Sequence, residues 1–392
     1  MKNNFRSVRL GELASVFAGG DKPKRFSKVK TSIFNVPVYA NGETNDGLQG
    51  YTTEAEVNEI AVTVSARGTI GYPVLRTKPY VPIVRLITLV PKNEKLNVTF
   101  LYYFLKLYRK KGNGSSQAQL TVPDISNRLI QVSDLSVQES VAKVLTELDS
   151  KIELNNKINS ELESMAKLIY DYWFVQFDFP DENGKQYKSS GGKMIYNEEL
   201  KREIPENWEV KEIQELAFCI MGQSPKGKSY NQEGIGTPLL NGPADYENGG
   251  LKANTFTTEP TRLCKKDDLV LCIRATIGNL VYSEKEFCLG RGVAAVRPLS
   301  SELSEYVYYL LEREIEIFKV RASGSIIKGI IKEDLVSAKV PVPNSQKIKS
   351  FSNIIKPHFD KIRLNKNENN RLAELRDWLL PILMNGQVTV KP

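Results

Sequence analysis

The sequence predicts an α+β protein assembled twice, with two globular domains, each followed by a long helix, related by an internal pseudo-two-fold repeat. Three observations predict it. Matching segments recur in the same order at a nearly constant spacing. Each half alternates short β-branched runs with Gly, Asn and Pro. Each half then closes on a long stretch with apolar residues three and four apart.

The repeat comes first, because a missed repeat misassigns the whole fold. SARGTIG (Ser65 to Gly71) matches CIRATIG (Cys272 to Gly278) at an offset of 207, and the same offset carries YVPIVRLITLVP onto FCLGRGVAAVRP. FLYYFL from Phe100 meets YVYYLL from Tyr306 at 206, and KIELNNKINSEL from Lys151 meets KIRLNKNENNRL from Lys361 at 210. Upstream, ELA at Glu12 matches ELA at Glu215. The resulting partition is domain 1–134, helix 135–179, connector 180–207, domain 208–343, helix 344–386 and tail 387–392.

Within each domain, runs such as EIAVTVSARGTIGYPVL and DDLVLCIRATIGNLVY read as short strands of an antiparallel or mixed sheet. The stretches 98–109 and 303–319 have helical length and periodicity. Ser136 and Glu139 form an S-x-x-E capping pattern for the first long helix, and Asn344 offers a cap to the second.

The first helical seam runs Val141, Leu145, Leu148, Ile152, Asn155, Asn159, Leu162, Ala166, Ile169, Trp173. Its counterpart runs Phe351, Ile355, His358, Ile362, Asn365, Asn369, Leu372, Arg376, Leu379, Leu383. Such a seam is buried only against another helix, and the other copy is the obvious partner. The central asparagines either face each other and set register, or mark a place where the seam turns outward. Pro357 is expected to kink or restart the second helix, and Gly386 to stop it. Leu154, Met165, Leu168 and Trp378 fall off the seam and are expected to be exposed apolar residues. The connector, FDFPDENGKQYKSSGGKMIYNEELKREIPENWEV, reads as solvated and flexible.

At 392 residues, 41% hydrophobic and 26% charged, the chain has the composition of a soluble protein with two ordinary cores. No apolar run approaches a membrane span, and MKNNFRSVRL lacks the apolar stretch of a signal peptide, so a cytoplasmic location without membrane contact is expected. Cys219, Cys264, Cys272 and Cys288 show no CxxC spacing, and the sole histidine, His358, lies in the helical seam. Neither a metal site nor a disulfide framework is indicated. Nucleophile-elbow, P-loop and dinucleotide motifs are missing, as is the Asn/Asp-Pro-Pro-aromatic signature of aminomethyltransferases. Pro180-Asp181 with Glu209-Val210-Lys211 imitates a PD…ExK nuclease, which would need Mg²⁺; coincidence is the better account, because Asp181 opens a polar connector.

The formal charge of +8 favours an anionic partner, and its distribution narrows the choice. Lys22, Lys24, Arg25, Lys28 and Lys30 crowd one segment, and Lys226 and Lys228 sit near the corresponding place in the second half. Of these, Lys22, Lys24, Arg25, Lys28, Lys226 and Lys228 are candidate phosphate contacts to double-stranded DNA. Arg67 and Arg274, with Thr69 and Thr276 in the same repeated turns, could present a guanidinium fork to guanine or phosphate, or serve turn geometry with the arginine in a local salt bridge. Arg291 is a weaker candidate, because Val84 takes its place in the first copy. A helix of about 35 residues spans roughly 50 Å, and duplex DNA repeats its face every ~34–36 Å, so two diverged readers on such a spacer fit a two-part site. A self-contained nuclease and a protein-binding scaffold are the competing readings.

The central stretch YDYWFVQFDFPDENGKQYKSSGGKM, the following NEELKREIPENWEV and the ending RDWLLPILMNGQV resemble the specificity (S) subunit of type I restriction-modification systems, the HsdS family. The resemblance implies that the two domains are target recognition domains, each reading half of a split, asymmetric site. It implies that the helices pair as an antiparallel coiled coil, with Leu145, Leu148, Ile152, Asn155, Asn159 and Leu162 on one side and Ile362, Asn365, Asn369, Leu372 and Leu379 on the other. It further implies that the helices dock two modification subunits and, through them, restriction subunits. The S subunit of this family is non-catalytic and binds no cofactor; S-adenosylmethionine belongs to the modification partner. Pro357 and Arg376 depart from an apolar seam.

Overall fold

A computed structural model of the chain describes residues 5–92, 94–109, 119–247, 249–274, 277–323, 329–388 and 390. It divides into two compact units, Met1–Lys157 with Asn365–Pro392, and Ile158–Leu364. Both long helices run through this division, so each globular domain is packed with the near end of one helix and the far end of the other.

The first unit holds a four-stranded antiparallel sheet, in the order Ala14–Ala18, Ile87–Pro91, Ala61–Val64, Pro73–Arg76. A second sheet places Val36–Tyr39 between Leu48–Thr52, antiparallel, and Val81–Pro82, parallel. The second unit repeats the plan with Ala217–Met221, Val293–Pro298, Leu269–Cys272 and Gly278–Tyr282. Its second sheet again carries one parallel pair, Thr237–Leu240 with Phe287–Leu289, extended on both sides. The repeat read from short motifs is therefore a repeat of sheet order and strand direction.

The two ends of each domain are tied together. Arg6–Arg9 pairs antiparallel with Leu129–Val132, and Glu209–Glu212 with Lys339–Val342. Each ribbon delivers the chain to the start of a long helix. The tyrosine- and leucine-rich stretches form helices Val98–Leu107 and Ser304–Ser323, laid on the four-stranded sheets. Phe100, Leu101, Phe104 and Leu105 enter the core of the first unit with Val62, Leu89, Val141, Leu145, Leu380 and Leu383. Tyr306, Leu310 and Leu311 do the same in the second, with Tyr170, Trp173, Phe351 and Ile355.

The first long helix spans Leu135–Tyr170 and widens into a π-type turn over Asp171–Val175. Ser136 does not cap it. The helix begins one residue earlier, Asp134 accepts the amides of Val137 and Gln138, and the Ser136 carbonyl is already bonded by Ser140 within the helix. The buried Gln138 side chain anchors this start through Asn97, Lys95 and Ser133. The second helix spans Ser345–Met384, and the Asn344 side chain accepts the Lys347 amide at 3.0 Å, as a cap should.

Pro357 does not restart the second helix, which is continuous across it. Pro357 and Asn353 are both exposed, so water can serve the carbonyl that loses its partner, while buried Phe351, Ile355 and Ile362 hold the helix on either side. Gly386 has φ +68°, and the bonds from Gly386 to Leu383 and from Gln387 to Ile382 form a Schellman ending.

The connector is ordered. Met194–Asn197 and Arg202–Pro205 form a hairpin, and Phe179 stacks on Tyr187 at 4.7 Å and on Trp208 at 5.5 Å. Phe177, Phe179, Ile204 and Trp208 enter the core of the second unit, while Ile195 and Tyr196 on the hairpin stay exposed, and that burial overrides the loop-like composition.

Candidate nucleic-acid interface

The loops at one end of the first domain are knitted together by backbone contacts. Gly19 and Gly20 run against Ile83, Val84 and Arg85 through bonds from Val84 to Gly20 (2.9 Å) and from Arg85 to Gly19 (3.1 Å). A Cβ on Gly19 would stand 2.5 Å from the Pro82 carbonyl group, so only glycine permits this approach. The Asn41 side chain donates to the Val84 carbonyl at 2.8 Å and accepts the Ala66 amide at 2.7 Å, while Gly42 donates to the Ser65 hydroxyl at 3.2 Å. One asparagine thereby holds the SARGTIG turn beside the Val84–Arg85 bend.

Lys22, Lys24, Arg25 and Lys28 project from the segment that follows this glycine pair, and all four are exposed. Lys22 lies 3.5 Å over the Phe26 ring, and the Arg25 carbonyl is bonded by Thr52 at 2.6 Å, so the segment has a defined shape. Arg67 is exposed at the tip of the turn between Ala61–Val64 and Pro73–Arg76. Its Nε and one terminal nitrogen donate to the Gln119 amide oxygen at 3.1 and 2.6 Å. A neutral amide orients the guanidinium without cancelling its charge, which leaves an oriented cation for an anionic or acceptor-rich partner. The half-buried Thr69 keeps a buried hydroxyl without a hydrogen-bond partner. Nearby acids are engaged: Glu43 pairs with Arg109 and Asp46 accepts the Tyr72 hydroxyl, and burial together with that bond pushes the Tyr72 phenol up to about 12.

The second domain repeats the close approach. Gly222 donates to Val293, and a Cβ there would lie 2.1 Å from the Gly290 carbonyl oxygen. Lys226 and Lys228 are exposed in the following loop, where the Lys226 carbonyl accepts both the amide and the hydroxyl of Ser229. Arg291 is exposed, and its Nε donates to the Ser224 hydroxyl at 3.2 Å. Arg274 is exposed and bridges Gly329 through its backbone. Thr276 lies outside the described residues.

Two features escaped the sequence reading. Gly19 and Gly222 are equivalent positions, and each is followed within a few residues by Pro-Lys, at Pro23-Lys24 and Pro225-Lys226. Arg85, one residue beyond Val84, is an exposed arginine at φ +60° on the bend whose second-domain counterpart carries Arg291 at the place of Val84.

On the helices, every seam residue is buried or half-buried. In the first unit the pairing is antiparallel. Asn155 donates to Asn369 at 2.9 Å and to Glu368 at 2.7 Å, Asn369 donates to Asn156 at 2.8 Å, and Arg376 reaches back to Asp149. In the second unit Tyr170 and Trp173 meet Phe351, both at 6.0 Å. Leu145 is buried; Leu148, Ile152, Leu162, Leu372 and Leu379 are half-buried; Asn159, Ile362 and Asn365 are buried. Leu154, Met165, Leu168 and Trp378 are exposed, as are Leu364 and Leu375. These exposed positions recur at the helical offset of 210, pairing Leu154 with Leu364, Met165 with Leu375, and Leu168 with Trp378.

The model of the type I restriction modification DNA specificity domain matches residues 2–164 and again 205–374, once per repeat. The chain belongs to the type I DNA specificity family. It is 27% identical over 318 residues to the MjaX type I restriction enzyme specificity subunit of Methanocaldococcus jannaschii, covering 79% of this chain and 72% of that one. It is 24% identical over 335 residues to the HindI specificity subunit of Haemophilus influenzae, covering 69% and 71%. The crystal structure of a type I restriction-modification S subunit from M. genitalium superposes with a TM-score of 0.64 at 19% identity, over 97% of this chain and 96% of that one, which shows a shared fold.

In this specificity chain the nuclease-like residues serve local structure. The Asp181 carboxylate accepts the amides of Asn183 and Lys185, both at 2.8 Å, within a tight turn, and Lys211 pairs with Glu209 at 2.8 Å on a strand. Among the described residues no group of three or more His, Cys, Asp or Glu is placed to hold a metal, and no helix is long and apolar enough to cross a membrane. The four cysteines are free thiols, and burial pushes Cys219 up to about 11.

Proposed function

We propose that this specificity chain reads a split, asymmetric DNA site with one recognition domain per half, and that it carries no catalytic activity of its own. One observation carries the reading: the same sheet plan, with the same glycine-hinged loop bearing exposed cations, stands twice in one chain, while the loop sequences differ. Exposed lysines supply sequence-independent attraction to phosphate, and the exposed arginines Arg67, Arg85, Arg274 and Arg291 are the side chains able to read base edges, Arg67 and Arg291 being oriented by Gln119 and Ser224.

The paired helices set the unread gap and dock two modification subunits, which bind S-adenosylmethionine and bring the restriction subunits; the complex works in the cytoplasm. The recurrence of exposed apolar positions at the offset of 210 supports two equivalent docking faces, as two copies of one partner require.

The test exchanges residues 1–134 for those of another member of the family and sequences the methylated sites. One half of the site changes and the other stays. A change in both halves, or in neither, overturns the two-reader model.

A further inference from the structure

Both domains hold an isoleucine out in solvent at the same place in the fold. Ile33 is 63% exposed, three residues ahead of strand Val36–Tyr39, and Ile235 is 59% exposed, two residues ahead of strand Thr237–Leu240. Those strands are equivalent, since each is the one that carries the parallel pairing of its domain. Single exposed apolar residues are ordinary and by themselves carry no meaning.

These two differ in being rigidly presented. The turn that bears Ile33 is closed from both sides, because Thr31 donates its amide to Phe34 at 3.0 Å and its hydroxyl accepts the Phe34 amide at 3.0 Å. Ile235 is clasped by one side chain: Asn231 Oδ1 accepts its amide at 3.0 Å, and Asn231 Nδ2 donates to its carbonyl at 2.9 Å. Each turn is locked with its aliphatic side chain outward, so the ordering cost of presenting that side chain is met before any partner arrives.

The surroundings select the partner. The loop that leads to Ile33 carries Lys22, Lys24, Arg25, Lys28 and Lys30 against Asp21 alone; the loop that leads to Ile235 carries Lys226 and Lys228 against Glu233. Val29, between Lys28 and Lys30, is also exposed, with its amide and carbonyl both held by the Ser27 hydroxyl. An apolar tip fenced by cations is a poor match for an apolar protein surface, which would strip water from the lysines. It suits a DNA groove, where the cations meet phosphates on the rim and the tip meets a base edge, the thymine methyl being the apolar group displayed there.

We propose that Ile33 and Ile235 are base-contacting specificity residues, one for each half-site, acting through apolar contact while the flanking lysines grip phosphate. The proposal rests on the reading of this chain as a DNA-specificity subunit. It predicts that the two classes of residue fail differently. Lysine truncation weakens binding to every sequence and lowers the salt dependence, whereas isoleucine truncation weakens only the cognate site.

The full chain, assembled with its modification subunits, first selects its site from a random duplex pool. Wild type, Ile33→Ala, Ile33→Thr, Ile235→Ala and Lys24→Ala/Lys28→Ala are then titrated onto the selected duplex and onto random duplex at several salt concentrations. Each isoleucine variant is expected to lose roughly five- to tenfold in cognate affinity, with random-duplex affinity and salt slope unchanged. The Ile33→Ala loss should vanish on a duplex already altered in the half-site read by the first domain. Cognate affinity within twofold of wild type, or an equal loss on random duplex, overturns the proposal. Loss of modification subunits with DNA affinity intact overturns it in favour of a protein contact. If wild type selects no sequence at all, the DNA-specificity reading itself fails.

Discussion

Arg376 on the second long helix donates a 2.6 Å charge-assisted hydrogen bond to Asp149 on the first, and Asp149 also accepts the Tyr103 hydroxyl at 2.8 Å and pairs with Lys106 at 3.3 Å. By the repeat offsets, the counterparts of Asp149, Tyr103 and Arg376 in the second unit are Phe359, Tyr309 and Ala166. There Tyr309 meets Phe359 edge-on at 5.9 Å and stacks on Tyr170 at 5.5 Å. One domain is joined to the helices through ions, the other through aromatic rings.

Burial alone would raise the Asp149 carboxyl, but its bonds to Arg376, Lys106 and Tyr103 hold it below the usual carboxylate range. The stabilisation is therefore complete above the unfolded value of about 4 and disappears as pH falls through the lower, folded value. Asp149→Asn should lose about 1–3 kcal/mol near neutral pH, and the gap to wild type should close on acidification. Urea unfolding between pH 7 and pH 3 measures both.

Asn155 and Asn369, bonded to each other at 2.9 Å, are expected to set helix register at a cost in stability. Asn155 Oδ1 is buried without a partner, so Asn155→Leu/Asn369→Leu should match or exceed wild-type thermal stability. Without the polar match the helices accept other registers or other partners, visible as oligomers in light scattering. A sharp fall in melting temperature with no change in association state would refute the register role.

Gly19→Ala places a methyl group against the Pro82 backbone, and Gly222→Ala against the Gly290 carbonyl. Each should cost about 1–3 kcal/mol and degrade one half-site only. Methylation sequencing of strains bearing each variant reports which half is lost.

Pro357→Ala restores an amide for the Asn353 carbonyl in an exposed, continuous helix. A gain of about 1–3 kcal/mol is expected, read as a higher urea midpoint at constant slope.

Trp378→Asp and Leu168→Asp place a charge on equivalent exposed apolar positions. Each should release one modification subunit and the double variant both, as mass photometry of the assembled complex would show. Retention of both subunits by the double variant would move the docking face elsewhere.

Much of this protein is local in origin and so was legible in its residues. Short motifs kept in order disclosed the duplication, β-branched runs disclosed strands, and the three-four spacing of Val141, Leu145 and their successors disclosed which helix face is buried. These patterns survive because each is set by neighbours a few residues apart. Other features needed distant chain segments to meet. Asn155 found Asn369, Arg376 found Asp149, and Pro357 was tolerated because buried residues on both sides hold the helix together. The polar connector became a hairpin because Phe179 and Trp208 had a core to enter. Arg67 could be nominated from its repeated turn, but only folding brought Gln119 to orient it. Ile33 and Ile235 carried no pattern of their own, since exposure on a stapled turn is decided by the bonds that Thr31 and the Asn231 side chain make to the backbone of the turn, and sequence spacing does not encode those.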